Sequence, residues 1–165
     1  MESNKLGKGM LTAAWVIALI LLTWFFNGIL DRRYNPNVNL SGGSKTVTLQ
    51  RNHQGHYVAN GKINGQPVTF FVDTGATSVA IPRKVAQRLN LEEKSEITVS
   101  TANGRTKAYL TRLETVSLGD ITLSDVGANI SPSMDDDEEI LLGMSFLKHL
   151  TFTQQADQLI IKTPD

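Results

Sequence analysis

The chain has 165 residues, with 16 Lys and Arg against 16 Asp and Glu, so its formal net charge at pH 7 is zero. That balance argues against a nucleic-acid binder working through a basic face. The length suits one ordinary domain, and the absence of cysteine excludes disulfides, thiolate zinc sites and a cysteine nucleophile.

The first element is apolar. No charged residue occurs from Gly9 to Leu30. About 20 helical residues span a hydrocarbon core of ~30 Å. The run therefore predicts a transmembrane helix over residues 10–30 behind a short tail, 1–9. Trp24, Phe25 and Phe26 sit toward its C-terminal end, where interfacial aromatics are favoured. A cleaved signal peptide would have a shorter apolar region and a small-residue cleavage site, whereas this run ends in "NGILDRRYN". Lys5 and Lys8 flank one end and Arg32 and Arg33 the other, so charge alone leaves the orientation open. The polar stretch "YNPNVNLSGGS" places a flexible tether within residues 31–45.

The folded domain is expected over residues 46–165 and reads as mainly β. "KTVTLQ" alternates and is β-branched. "HYVANGKI" and "QPVTFFVD" flank Asn64-Gly65, a hairpin signal because a type I′ turn needs positive φ at both central residues. "SEITVST" and "RTKAYLTRLETVSL" flank Asn103-Gly104 in the same way, and "ITLSDVGANIS" follows a Gly119-Asp120 turn. "DQLIIKT" closes the chain. Two short helices are expected, one after Pro82 in "PRKVAQRLN" and one in "MSFLKHL". Many short strands with regular turns predict a closed or folded-over β domain.

One carboxylate stands out. In "FFVDTGATSVAIP", Asp73 ends a buried strand and enters a tight Thr74-Gly75 turn. Glycine lets backbone amides approach a carboxylate and hold it ionised by charge-assisted hydrogen bonds. Asp, Thr and Gly are also common turn formers, so the tripeptide by itself fits a simple turn. The context adds more. After it the chain re-enters the core, reaches the polar hairpin tip "TANGRT", and then "EILLGMSFL" sets apolar residues and a glycine before a short helix. This order resembles the retropepsin-like aspartic proteases, over roughly Gly55 to Lys162. With its N-terminal apolar segment the whole chain is similar to their membrane-anchored Gram-negative bacterial type.

The resemblance implies a retropepsin-like acid-protease fold and a role for each matching position. Asp73 would be the catalytic aspartate. Thr74 would lock the active-site loop to a partner loop, Gly75 would offer an amide near the carboxylate, and Ala76 and Thr77 would complete the loop. Ala102, Asn103, Gly104 and Arg105 would form a flap tip, which lacks the glycine-rich sequence of the viral type. Leu142 and Gly143 would pack beneath the aspartate loop. The family also implies an inner-membrane anchor, a periplasmic domain and a protein or peptide substrate. No metal or organic cofactor is expected, since the nucleophile is water.

The chemistry needs two carboxylates that share a proton: one accepts a proton from water while the other hydrogen-bonds the scissile carbonyl. The sequence has one Asp-Thr-Gly and no second copy of the pattern. An aspartic endopeptidase built from this chain must therefore be a homodimer, with the site on a two-fold axis. "DQLIIKT" could join a dimer sheet or close the monomer core. The alternative is a non-catalytic peptide-binding or dimerisation module with the same fold. The remaining candidates have bland explanations. His53 and His56 lie in a turn-like "RNHQGHY" with no acidic ligand nearby, and "DDDEE" at residues 135–139 lacks the glycine and spacing of a calcium loop. No metal site is expected.

Overall fold

A strand with one apolar face must bury it, and a row of such strands does so by curling into a barrel. The computed structural model describes residues 3–40, 45–101, 104–135 and 138–164, in two units, Met1–Tyr34 and Asn35–Asp165. The first unit is one helix, α1 (Ser3–Tyr34). Its segment Gly9–Tyr34 is long and apolar enough to cross a membrane, with an 18-residue window of mean hydropathy 2.1. None of that window is buried. The helix runs on past residue 30, the expected end, through Arg32 and Arg33 to Tyr34.

The second unit is mainly β. In chain order it contains β1 (Thr46–Gln50), β2 (Tyr57–Ile63), β3 (Gln66–Val72), β4 (Val79–Pro82), α2 (Arg83–Arg88), β5 (Glu96–Thr101), β6 (Gly104–Leu118), β7 (Ile121–Ser131), β8 (Ile140–Leu142), α3 (Met144–Leu147), β9 (Thr151–Gln155) and β10 (Gln158–Lys162). Six of these strands close a barrel in the order β2-β3-β8-β4-β7-β6, and the seam is the short β2–β6 pairing, Lys62↔Ser117 and Ile63↔Val116. The strand alternation explains the core: Val68, Phe70 and Val72 of β3 point inward, and Phe70 is fully buried. Phe70, Ile81, Leu113, Ile130, Ile140 and Phe146 belong to one continuous apolar cluster.

The turns follow the sequence signals. Asn64 and Gly65 both have positive φ, 49° and 79°, and join β2 to β3 with Ile63 opposite Gln66. Gly119 at φ 55° joins β6 to β7, with Leu118 opposite Ile121. β5 and β6 form the expected third hairpin, paired up to Thr101↔Gly104. Ala102 and Asn103 lie outside the described residues.

Beside the barrel stands a smaller sheet in the order β1-β10-β9. The terminal strand, expected either to join a dimer sheet or to close the core, takes the second course. β10 is paired on both sides, with Leu159 and Ile161 buried. β1 and β9 are the two edges of this sheet, and β9 carries no apolar alternation that would have marked it as a strand. All five of its residues are exposed.

The segment between α1 and β1 is held down in part. Asn37 is 3% exposed, and its side chain joins the two sheets. Its Nδ2 donates to Gln50 O (2.9 Å) and to Val58 O (2.7 Å), while its Oδ1 accepts from Gln50 N (2.7 Å). Asn35 adds two contacts: its Nδ2 donates to Asn60 Oδ1 (2.8 Å), and its Oδ1 accepts from Asn37 N (3.0 Å). Asn60 N also donates to Asn37 O (3.3 Å). Residues 35–37 thus form a strap on β1 and β2, inside the span where the sequence suggested a free tether.

A buried amide that meets three backbone groups leaves all three unsatisfied when it is removed. Asn37→Ala should destabilise the second unit by about 2–4 kcal/mol, measured by urea unfolding. By the same logic, a piece starting at Asn35 should melt higher than one starting at Lys45.

Candidate active site

The loop carrying Asp73 is shaped by strand order. β8 lies between β3 and β4, parallel to β3 (Phe70↔Ile140, Val72↔Leu142) and antiparallel to β4 at Ala80↔Leu141. The chain leaving β3 must therefore step over the end of β8 to reach β4. That step is Asp73–Ser78.

Two backbone bonds clamp the loop to the strand beneath. Asp73 N donates to Leu142 O (3.3 Å), and Met144 N donates to Ala76 O (2.8 Å). Between them lies Gly143, where a β-carbon would come within 2.4 Å of Ser78 O and 2.6 Å of Ala76 O. Both are backbone atoms, so the close approach requires glycine. This is the physical content of the Leu142-Gly143 pair noted in the sequence.

Inside the loop, Gly75 N donates to Asp73 Oδ1 (2.8 Å), and Ala76 N donates to Asp73 O (3.3 Å). The carboxylate is thus oriented by the turn that follows it, and Asp73 is half-buried while Thr74 and Gly75 are exposed. The structure brings Asp73, Thr74, Gly75, Ala76, Thr77, Leu142 and Gly143 together as one loop on one strand end. Gly104 and Arg105 lie at the start of β6, in the β5–β6 hairpin.

Three further side chains hold the loop, and the sequence reading gave none of them this part. Ser145 Oγ, in α3, accepts from Val79 N (2.9 Å). Asn129, 6% exposed on β7, donates from Nδ2 to Ser78 Oγ (2.6 Å). Both serines are thereby accounted for as hydrogen-bonding partners of the loop. A polar residue in an otherwise apolar strand, such as the asparagine of "VGANIS", is the signal that could have found Asn129.

A cleft of about 310 Å³ adjoins the carboxylate. Gly55, His56 and Tyr57 line one side and Val72, Asp73 and Thr74 another, with Phe71 beside them. Phe152 and Gln154 of β9 and Leu159 of β10 complete it. The cleft therefore lies between the barrel and the small sheet. The His56 ring rests against Phe71, with centroids 4.8 Å apart, which accounts for that histidine as packing. No group of three or more His, Asp or Glu able to hold a metal occurs among the described residues.

Residues 59–149 match the protein family described as "gag-polyprotein putative aspartyl protease". The chain is 34% identical over 126 residues to an uncharacterized protein in the cobV 5' region of Sinorhizobium sp., covering 74% of this chain and 54% of that one. It is 29% identical over 162 residues to an uncharacterized protein of Rickettsia prowazekii (strain Madrid E), covering 90% of this chain and 69% of that one. The chain thus spans about half the length of the first relative. Among solved structures, a retropepsin-like aspartic protease from Rickettsia conorii superposes with a TM-score of 0.63 at 30% identity, covering 76% of this chain and 96% of that chain.

The clamp over Gly143 can be tested directly. Gly143→Ala should force the Asp73 loop away from β8 and destabilise the second unit by about 1–3 kcal/mol, read from urea unfolding. An unchanged stability would mean that the loop yields freely.

Proposed function

Because the chain belongs to the retropepsin-like aspartic protease family, we propose that it is a membrane-anchored, homodimeric aspartic endopeptidase. The observation that carries this reading is the Asp73 carboxylate, held by Gly75 N on a loop clamped over Leu142 and Gly143, beside an open cleft. The bond from Gly75 N alone is one that any turn aspartate makes; the backbone clamp over Gly143 and the adjoining cleft are what a simple turn does not call for.

In this reading two Asp73 side chains, one from each protomer, hold a water between them. The ionised one takes the water's proton as the oxygen attacks the scissile carbonyl. The protonated one hydrogen-bonds the carbonyl oxygen as it becomes a tetrahedral oxyanion, and proton transfer to the amide nitrogen then completes cleavage. Thr74, exposed in the isolated chain, would pack against its counterpart. The β5–β6 hairpin, with Ala102, Asn103, Gly104 and Arg105 at its tip, would cover the substrate.

The second copy has a candidate edge. Among the described residues β9 has no strand partner on its outer side; it is exposed at all five positions and carries no charge. Strands of this kind invite pairing, and Phe152 and Gln154 of β9 already face the cleft that Asp73 lines. Helix α1 would anchor the unit in the inner membrane with the β domain on the periplasmic side. Confinement to a surface raises the effective concentration of protomers.

The test is cleavage of a diverse peptide mixture by the full chain in detergent, from acidic to neutral pH, beside Asp73→Asn. The substitution is nearly isosteric and should lower cleavage by at least about a thousandfold with the fold intact. At concentrations below full dimerisation, activity should rise more steeply than linearly with protein. Folded, dimeric protein that cuts nothing would favour the peptide-binding module instead.

A further inference from the structure

The helix and the strap meet without spare chain. Tyr34 is the last residue of α1, and Asn35, the next residue, is already hydrogen-bonded to Asn60 of β2. Asn37, two residues on, is 3% exposed and fixed to both sheets. The last residue of the uncharged apolar run is Leu30. From there to Tyr34 the chain is helical, a rise of about 6 Å at ~1.5 Å per residue. The polar residues Ser41 to Ser44 follow, but they come after the strap in the sequence. They add nothing to the leash.

The size of the β unit then limits its reach. A unit of residues 35–165 has an expected radius of gyration of about 14 Å, hence a width of roughly 35–40 Å. Adding the helical rise, no point on it can lie more than about 45 Å from the end of the apolar run. This bound uses only chain length and the Asn35 and Asn37 contacts.

We propose that the substrates of this site are polypeptides themselves held at the same membrane and cut within about 45 Å of its surface, the strap acting as a fixed-length leash. The inference rests on the anchored-protease reading above and adds a substrate class to it. A substrate confined to the same surface meets the site at high effective concentration. A bond carried farther out on a rigid stalk lies beyond reach.

The experiment uses the full chain reconstituted in lipid vesicles. The fastest-cut peptide from the mixture above serves as the probe in three forms: free in solution, on a membrane-anchored helical stalk of about 15 Å, and on one of about 90 Å, at ~1.5 Å per helical residue. The short stalk should be cut at least tenfold faster than the long one. Inserting about 60 Gly/Ser residues between Tyr34 and Asn35, with a root-mean-square span of about 40 Å, should reduce that ratio at least threefold. Equal cutting of both stalks by the unmodified chain, with the free peptide still cut in an Asp73-dependent way, would overturn the leash and leave the protease reading standing. An insertion that leaves the ratio unchanged would do the same. Absence of Asp73-dependent cleavage of any form would overturn both.

Discussion

Everything about the candidate site depends on one contact, the loop of residues 73–78 lying directly on Gly143. With β8 inserted between β3 and β4, the connection between those strands has one route, over the end of β8. At that crossing the carbonyls of Ala76 and Ser78 fill the space a β-carbon would need. Backbone packed on backbone has no side chain to give way, which makes the loop stiff. The bonds Asp73 N to Leu142 O and Met144 N to Ala76 O fix it on either side of the crossing. On the proposed reading the carboxylate would meet a symmetry mate and a water within hydrogen-bond distance, which calls for this kind of support.

Buried amides do the rest of the joining. Asn129 fastens the far end of the loop through Ser78, and Asn37 fastens the small sheet to the barrel. In both places the apolar surface has been interrupted, and unpaired backbone or hydroxyl groups would be costly without a partner. The Asn37 contact has a second consequence. The cleft beside Asp73 has one wall on the barrel and another on β9 and β10, so the amide that holds the two sheets together also keeps the cleft walls in place.

The elements legible in sequence were those with strong local chemistry. Asn64-Gly65 gave its hairpin because both residues sit at positive φ, and Pro82 marked the start of α2. The order of Asp73-Thr74-Gly75-Ala76, the β5–β6 hairpin and Leu142-Gly143 pointed to the family. What stayed hidden lacked such signals. β9, "TFTQQ", is exposed on both faces and so has no apolar alternation, and its turn to β10 uses Ala156 at φ 50°, which is not a turn residue by composition. β8 has three residues, too few to show any period. The strap reads as a polar tether because its asparagines are ordered by tertiary hydrogen bonds, and composition does not reveal those.

The β5–β6 hairpin is built in the opposite manner from the Asp73 loop. β5 pairs with β6 alone, and none of its side chains is buried. Beyond the ladder it is held by an exposed pair, Lys107 Nζ with Glu96 Oε1 at 2.9 Å. Exposed pairs of this kind hold little. The Lys107 hydrogen bond keeps the Glu96 carboxyl below its ordinary range. Its stabilising effect is therefore present above the ordinary carboxylate range and is lost as pH falls through the lowered value. Acid thus weakens this one exposed contact, whereas the bonds that clamp the loop over Gly143 run between backbone atoms. Aspartic chemistry asks for a carboxylate that stays put and a cover that opens to admit a chain and closes over it. On the proposed reading the backbone-locked loop would meet the first need, and the β5–β6 hairpin, with no buried side chain on β5, the second.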